Sequence, residues 1–379
     1  MNNKLFISIF IMIFIFGHVA LVDAKLHIKG DNLLQFEVQY EGYQKNKEKY
    51  NLDIPELIPL YVKHSKRVKG IYINSRVAKS ELKMDKLIKL INESNLNAVV
   101  IDIKSITGNT IFSKSNETKD KLKKLITKCH RNSIYVIGRL AVFKDIKLAQ
   151  QSKYSLKYTL VTDKEVTINS NQWSNPYSKE VWDHNLNIAQ KAANLGVDEI
   201  QFDYIRFPVL AENSKFVIKS SLKESKADTI VNFLKYAQDK LTDESVLLSA
   251  DVFGLTTTVD GDLGIGQDIT RMVNYVDYIS PMIYPSHYNK GMYGLEDPSS
   301  RPYQLISRSL EDAKEKLGKN SYKLRPWLQD FSLQYTYKAR EIKAQIKAVE
   351  KQEINGWLLW NPASNYTVEA LINRRRRIR

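Results

Sequence analysis

The sequence predicts an α/β protein folded as one (β/α)8 TIM barrel with a single catalytic domain. Eight short apolar runs of strand character recur between residues 68 and 361. Segments with helical periodicity separate them, and their combined span has the size of one barrel. Strand and helix in regular alternation give right-handed βαβ units and a parallel sheet. A doubly wound open sheet is the alternative, but nothing in such a sheet stops the count at eight.

The runs are Val68–Asn74, Ala98–Lys104, Tyr135–Phe143, Glu199–Phe207, Val246–Phe253, Asp277–Tyr284, Arg325–Phe331 and Gly356–Asn361. Each is rich in Val, Ile, Leu, Tyr or Phe and is bounded by polar residues, as buried strands are. Between the first two, Met84–Ser94 sets Leu87, Ile88 and Ile91 at helical spacing. Lys119–Arg131 does likewise with Leu122, Leu125 and Ile126. Lys179–Leu195, Ala227–Leu241, Pro302–Leu317 and Ala339–Gln352 follow. The face formed by Ile188, Ala189, Ala192 and Ala193 suits a helix lying close on a sheet. Asp268–Tyr275 is the best helical stretch of the short fifth link, and Thr367–Arg377 is the predicted closing helix. The longest connection, Lys144–Tyr177, overhangs the predicted barrel mouth with Trp173, Asn175, Pro176 and Tyr177, residues suited to flanking a sugar.

Ahead of the barrel, Lys4 supplies a positive start and Leu5–Val22 is almost wholly apolar. Val22-Asp23-Ala24 offers the small or modest residues that a signal peptidase accepts. Residues 1–24 therefore read as a signal peptide cleaved after Ala24, with an uncleaved anchor as the alternative. Residues 25–67 read as an irregular, lysine-rich lead-in, and residues 68–379 as the barrel with a basic helix end. The expected location is outside the cytoplasm, secreted or associated with the cell envelope.

Hydrophobic content of 43% supports a substantial core and excludes disorder. A single cysteine, Cys129, excludes an intramolecular disulfide and reads as a buried small hydrophobe. The net charge is +15, and loss of Lys4 and Asp23 with the leader leaves it unchanged. Such a chain is suited to electrostatic association with an anionic envelope. The charge is spread along the sequence except at Arg374–Arg377, and no aromatic-interleaved basic motif accompanies it, so no specific nucleic acid is expected. Oligomeric state leaves no mark in the sequence.

Charges within predicted core strands are the informative anomaly, because an unpaired buried charge is costly. In a parallel barrel the reason is usually chemistry at the C-terminal rim. The second run ends Asp102-Ile103-Lys104, the fourth passes through Gln201-Phe202-Asp203 to Tyr204 and Arg206, and the fifth ends Ser249-Ala250-Asp251. Alternation puts Asp102 with Lys104, Gln201 with Asp203, and Ser249 with Asp251 on shared faces. Tyr284 and His287 close the sixth run, Trp327, Gln329 and Asp330 the seventh, and Trp360 and Asn361 the eighth. Three carboxylates facing one cavity suit glycoside chemistry, which uses one carboxyl group to protonate the leaving oxygen and another to attack or to activate water. Asp203 and Asp251 are the predicted catalytic pair. Asp102, Lys104, Tyr204, Arg206, Tyr284, His287, Trp327, Gln329, Asp330, Trp360 and Asn361 are the predicted substrate-binding set. The structural alternative is that the three Asp residues cap helices or pair with Lys104 and Arg206.

Other chemistries lack their signatures. The histidines, His18, His27, His64, His130, His184 and His287, form no closely spaced metal pair, so no metal and no cofactor are expected. No GxGxxG follows the first run, and neither a GxxxxGK[ST] loop nor a GxSxG elbow is present.

These motifs together resemble a bacterial family of predicted glycoside hydrolases known mainly as a domain of unknown function. Its members are exported or anchored TIM barrels distantly similar to the α-amylase group. The resemblance rests on Lys69–Tyr72, Asn97–Lys104, Asp198–Pro208, Ser249–Gly254, Asp277–Pro285, Arg325–Phe331 and Gly356–Pro362, covering Val68 to Asn365. It implies hydrolysis of glycosidic bonds in an extracellular or cell-envelope polysaccharide. Analogy with α-amylase-like barrels makes Asp203 the nucleophile and Asp251 the acid/base, where that group more often has Glu. A third carboxylate after the seventh strand maps to Asp330, and Arg206 can turn in at the strand end to hold Asp203 ionised. The alternative from another class is a non-catalytic, surface-anchored carbohydrate-binding barrel.

The leader reading has a direct check. The exported protein should begin at Lys25 by N-terminal sequencing or intact mass; a product still carrying Met1–Ala24 would show an anchor instead.

Overall fold

The computed structural model describes residues 6–15, 18–28, 34–39, 67–111, 116–160, 166–210, 216–218, 224–244, 246–354 and 356–372. The chain divides into two units, Met1–Ile58 and Pro59–Arg379.

In the first unit, Phe6–Ile15, His18–Ile28 and Leu34–Gln39 form a three-stranded antiparallel sheet. Where an irregular lead-in was expected, Leu34, Phe36 and Val38 alternate with Gln35, Glu37 and Gln39, the period of a strand. The bond after Ala24 falls inside the middle strand, so a mature chain beginning at Lys25 does not retain this sheet. The rest of the lead-in, up to residue 66, and the basic run 374–377 lie outside the described residues.

The second unit is the predicted barrel, and all eight strands are present. They are β1 (Val68–Ile73), β2 (Ala98–Lys104), β3 (Tyr135–Ala141), β4 (Glu199–Asp203), β5 (Leu247–Phe253), β6 (Tyr278–Met282), β7 (Trp327–Gln329) and β8 (Gly356–Trp360). Each pairs in parallel with its sequence neighbours, and β8 closes onto β1. The outer helices are α1 (Glu81–Asn92), α2 (Asn116–Arg131), α3 (Lys179–Ala193), α4 (Lys226–Leu241), α5 (Pro302–Leu317) and α6 (Ala339–Lys351). Ser178 and Ser225 start α3 and α4 by accepting the backbone N–H three residues on, which satisfies a donor the helix cannot. After β5 the link is a short helix, Ile269–Met272. The closing helix is shorter than expected within the described residues, a single turn at Val368–Leu371.

Alternation divides the buried apolar residues into two clusters. The larger fills the space between strands and helices with residues such as Ile71, Val99, Ile200 and Val252. The smaller lies inside the barrel and contains Tyr72, Val100, Tyr135, Ile137, Tyr284, Trp327 and Leu358. Two long excursions leave the C-terminal rim, after β3 and after β4. Their strands Ser155–Leu160, Val166–Ser174 and Phe216–Ile218 form a separate antiparallel sheet. A bridge between Lys144 and Trp173 ties this sheet to the end of β3. The predicted overhang is therefore a folded platform.

Barrel closure depends on Gly356, the first residue of β8. Its φ is +108°, and an added Cβ would lie 2.0 Å from the Val68 carbonyl oxygen. No side chain fits there. Gly356→Ala should lower stability by more than the ~1–3 kcal/mol of backbone strain alone, read as a lower urea midpoint at unchanged m-value.

Candidate active site

Arg139, on the inner face of β3, is the centre of the rim. Its NH1 donates to Asp102 Oδ1 at 2.5 Å, while Nε and NH2 donate to Asp203 Oδ2 at 2.9 and 2.5 Å. The three side chains come from β2, β3 and β4, with Asp102 paired to Arg139 in register and Asp203 two residues beyond Gln201, the register partner of Arg139 on β4. Burial opposes the guanidinium charge, but Asp203 and then Asp102 outweigh it and hold the Arg139 pKa well above its ordinary value. Tyr72 on β1 donates its hydroxyl to Asp102 Oδ2 at 2.6 Å. Its phenol pKa is driven up by burial first and by Asp102 second, so it remains a donor. The second oxygen of Asp203, Oδ1, accepts the Tyr204 N–H at 2.5 Å.

Asp251 on β5 has a different environment. It is 1% exposed, and Oδ1 accepts the indole N–H of Trp327 at 2.8 Å. Burial, and then the negative charge of Asp203, raise its pKa well above the ordinary carboxylate range. One rim carboxyl is ion-paired and another is dry and favours its proton. Aromatics complete the wall: Trp360 stacks on Tyr72 with centroids 4.0 Å apart, Trp327 meets Trp360 edge-on at 5.6 Å, and the Arg139 guanidinium lies 5.1 Å from the Trp360 ring. Tyr284 packs against His287 and Phe331. Burial first, then Asp251 and Asp203, push the Tyr284 pKa up, which places it within the field of both carboxyl groups. Burial lowers the His287 pKa, favouring the neutral imidazole.

At the end of β4, Tyr204 takes a left-handed φ of +50°, uncommon for a bulky residue. That turn directs its own N–H to Asp203 and brings Arg206 back over the rim. The Arg206 guanidinium lies 4.8 Å from the Trp173 ring and 4.5 Å from the Phe253 ring, with NH1 donating to the Phe207 carbonyl at 2.9 Å. It makes no hydrogen bond to Asp203.

Below the rim, the barrel interior is polar. Glu199 accepts from Arg325, from the Tyr135 hydroxyl at 3.2 Å and from the Ser249 hydroxyl. Gln201, on the same face of β4 between Glu199 and Asp203, is fully buried. Among the described residues no group of three or more His, Cys, Asp or Glu side chains is arranged to hold a metal ion.

Residues 70–366 match the model of the family described as "putative glycosyl hydrolase domain". The chain belongs to that family. No curated protein matches the chain. A hypothetical protein from Ruminiclostridium thermocellum ATCC 27405 is similar at 33% identity over 48% of this chain and 97% of its own, with a TM-score of 0.41. The PgaB (BpsB) glycoside hydrolase domain from Bordetella bronchiseptica is similar at 10% identity over 79% of this chain and 94% of its own, TM-score 0.58. An endo-1,4-beta-D-mannanase from Thermotoga petrophila RKU-1 shares 12% identity over 78% of this chain and 88% of its own, TM-score 0.53. At such identities the latter two show a common fold.

Within this barrel the structure rearranges several predicted roles. Asp102, Asp203 and Asp251 do converge, with Tyr284, Trp327 and Trp360 about them. Lys104 does not join them, because the β2–β3 register shifts between Asp102 and Lys104. The shift turns Lys104 away from the Asp102 face, where it is fully buried and donates to Asp145 at 2.6 Å and Asn185 at 2.7 Å. It anchors the start of the β3 excursion to α3. Asp330 accepts both the N–H and the hydroxyl of Thr367, at 2.9 and 2.8 Å, so it fastens the C-terminal turn. It is not a third rim carboxylate. Asn361 donates to the Asp330 carbonyl and accepts the Ala363 N–H, organising the turn after β8. Gln329 links the loops after β6 and β7, accepting from Ser286 and donating to the Phe331 carbonyl. Asn175 and Pro176 likewise serve local turns, through the Tyr177 N–H and the Trp182 indole. The residue that sequence reasoning missed is Arg139. Its signal was present: Tyr135, Ile137 and Arg139 share one face of an otherwise apolar run, the same anomaly as Asp203.

Removing Arg139 leaves two buried carboxylates without their cation. Arg139→Leu should cost ~3–5 kcal/mol at neutral pH. Urea unfolding of the variant beside the native protein checks this.

Proposed function

We propose that this carbohydrate-active barrel hydrolyses glycosidic bonds, with Asp251 as proton donor and Asp203 as the opposing carboxylate. The observation that supports the reading is the contrast between the two groups. Asp251 sits in a dry site against Trp327 with a raised pKa, whereas Asp203 is ion-paired to Arg139. Glycoside hydrolysis asks for that division, one carboxylic acid to protonate the leaving oxygen and one carboxylate to attack the anomeric carbon or activate water. Trp360, half-buried beside the pair and backed by the buried Tyr72 ring, is the aromatic suited to meeting a sugar. The substrate we propose is an extracellular or cell-envelope polysaccharide. The apolar N-terminus, read as an export leader, supports that location, and chitinase and mannanase barrels share the fold.

In this mechanism Asp251 protonates the glycosidic oxygen as the bond to the anomeric carbon breaks. Asp203 stabilises the positive charge that develops there, by attack or through water. Arg139 keeps Asp203 oriented, and Tyr72 with Asp102 keeps Arg139 oriented.

Both substitutions preserve side-chain shape: Asp251→Asn keeps the oxygen that accepts from Trp327, and Asp203→Asn keeps one for Arg139 while losing the acceptor of the Tyr204 N–H. Each should lower kcat by roughly 10²–10⁴ in a reducing-end assay on envelope polysaccharides, with circular dichroism unchanged. Activity in both variants at the native level would refute the assignment. Because Asp251 acts in its protonated form, activity should be lost as pH rises through its raised pKa. Stability should follow the same sign. The folded pKa exceeds the unfolded one, so this group's contribution is complete below pH ~4 and fades as pH rises through the folded value. Asp251→Asn should flatten that decline.

A further inference from the structure

We infer that the rim beside Asp203 carries a subsite for an anionic sugar, built from Arg206 and Lys144, so that the substrate is an acidic polysaccharide. The inference rests on the glycosidase reading for the location of the chain being cleaved, and it adds the substrate's chemical class. Among the described residues three cations are deeply buried, and each has a carboxylate: Lys104 has Asp145, Arg139 has Asp102 and Asp203, and Arg325 has Glu199. Arg206 and Lys144 break that rule. Both are half-buried, and neither has a carboxylate partner among the described residues.

Both are nevertheless held in place. Arg206 is clasped between Trp173 and Phe253, and its guanidinium also lies 5.5 Å from the Tyr204 ring. Lys144 Nζ lies 5.4 Å from the same ring. Aromatic faces fix a guanidinium's plane while leaving its N–H edge free. Among the described residues only one of the five Arg206 donors is used, by the Phe207 carbonyl. Burial lowers the Arg206 pKa, and the field of Asp203, which bonds to Arg139 and not to Arg206, opposes that from a distance. Local charge points the same way. Asp102 and Asp203 bring two negative charges against the one positive charge of Arg139, and Asp251 favours its proton, so Arg206 and Lys144 tip the rim to a net positive charge of one. A carboxylate or sulfate on the sugar bound there meets the free edge of Arg206 with the bidentate geometry that favours Arg, and Lys144 adds positive charge from the same Tyr204 ring.

The test measures equilibrium binding of a polyuronate, its carboxyl-reduced neutral counterpart and a sulfated glycan to the full chain at 150 mM salt, well screened for surface charge. Reducing ends are followed in the same samples. An anionic glycan should bind at least ~10-fold more tightly than the neutral one, the size of a charged hydrogen bond. Arg206→Gln and Lys144→Gln should each erode that preference, and which anion binds identifies the substituent. Equal binding of charged and neutral polymers overturns the subsite. So does a preference that survives both substitutions, since it would come from the overall charge of +15. If Arg206→Gln does not fold, Lys144→Gln decides alone. Absence of new reducing ends with every polymer would count against the glycosidase reading while leaving the binding result to stand or fall separately.

Discussion

The rim of this barrel depends on one guanidinium placed between two carboxylates. Asp102 and Asp203 project inward from β2 and β4, and side by side in a dry interior they would repel. Arg139 on the intervening strand bonds to both. Its own charge is secured by them, so each of the three makes the others tolerable. Asp251 lies outside that arrangement and receives no cation of its own. Burial and the field of Asp203 therefore leave it the one rim carboxyl that favours its proton. The division of labour proposed for the pair follows from which strand carries the arginine.

The same contacts fix how the barrel closes. From Asp251 the chain of contacts runs through the Trp327 indole to Trp360, on to Tyr72, and by its hydroxyl to Asp102, Arg139 and Asp203. It touches β5, β7, β8, β1, β2, β3 and β4 in turn. A second, lower tie joins Glu199 on β4 to Arg325 just before β7, across the interior. A one-residue slip of β2, β3 or β4 would turn its inward charge toward the helices. Leaving such a charge unpaired costs several kcal/mol, so the polar interior specifies register more sharply than apolar packing alone can.

The sequence made the barrel legible because each strand is a short apolar run and each helix shows its own period. Pro302–Leu317 coincides with its predicted span, and the other main helices begin or end within a few residues of theirs. Rim residues were legible where strand alternation holds, as for Asp102, Asp203 and Asp251. They were not where it fails. The register shift after Asp102 sends Lys104 to the opposite face, and nothing in Asp-Ile-Lys announces it. Asp330 and Asn361 lie past the last paired residues of their strands, where turn geometry decides direction. Arg139 was overlooked for a different reason. The third run was drawn to Phe143, so the arginine counted as strand interior, whereas the strand ends at Ala141 and Arg139 reaches the mouth.

Tyr204 shows how the strand end and the platform above it act together. A glycine would take its left-handed backbone freely, whereas a tyrosine there is held at a cost of ~1–3 kcal/mol. The turn directs the Tyr204 N–H onto Asp203 Oδ1, and Arg139 holds Oδ2, so both oxygens of the carboxylate are fixed by one local conformation. The ring in turn meets Trp173 from the β3 excursion at 6.2 Å and carries Lys144 and Arg206. Backbone strain at the end of β4 is thereby converted into two things a bare strand end lacks: an oriented carboxylate and an adjacent positive surface. The two are linked, because φ of Tyr204 sets where its ring lies relative to the peptide whose N–H meets Asp203.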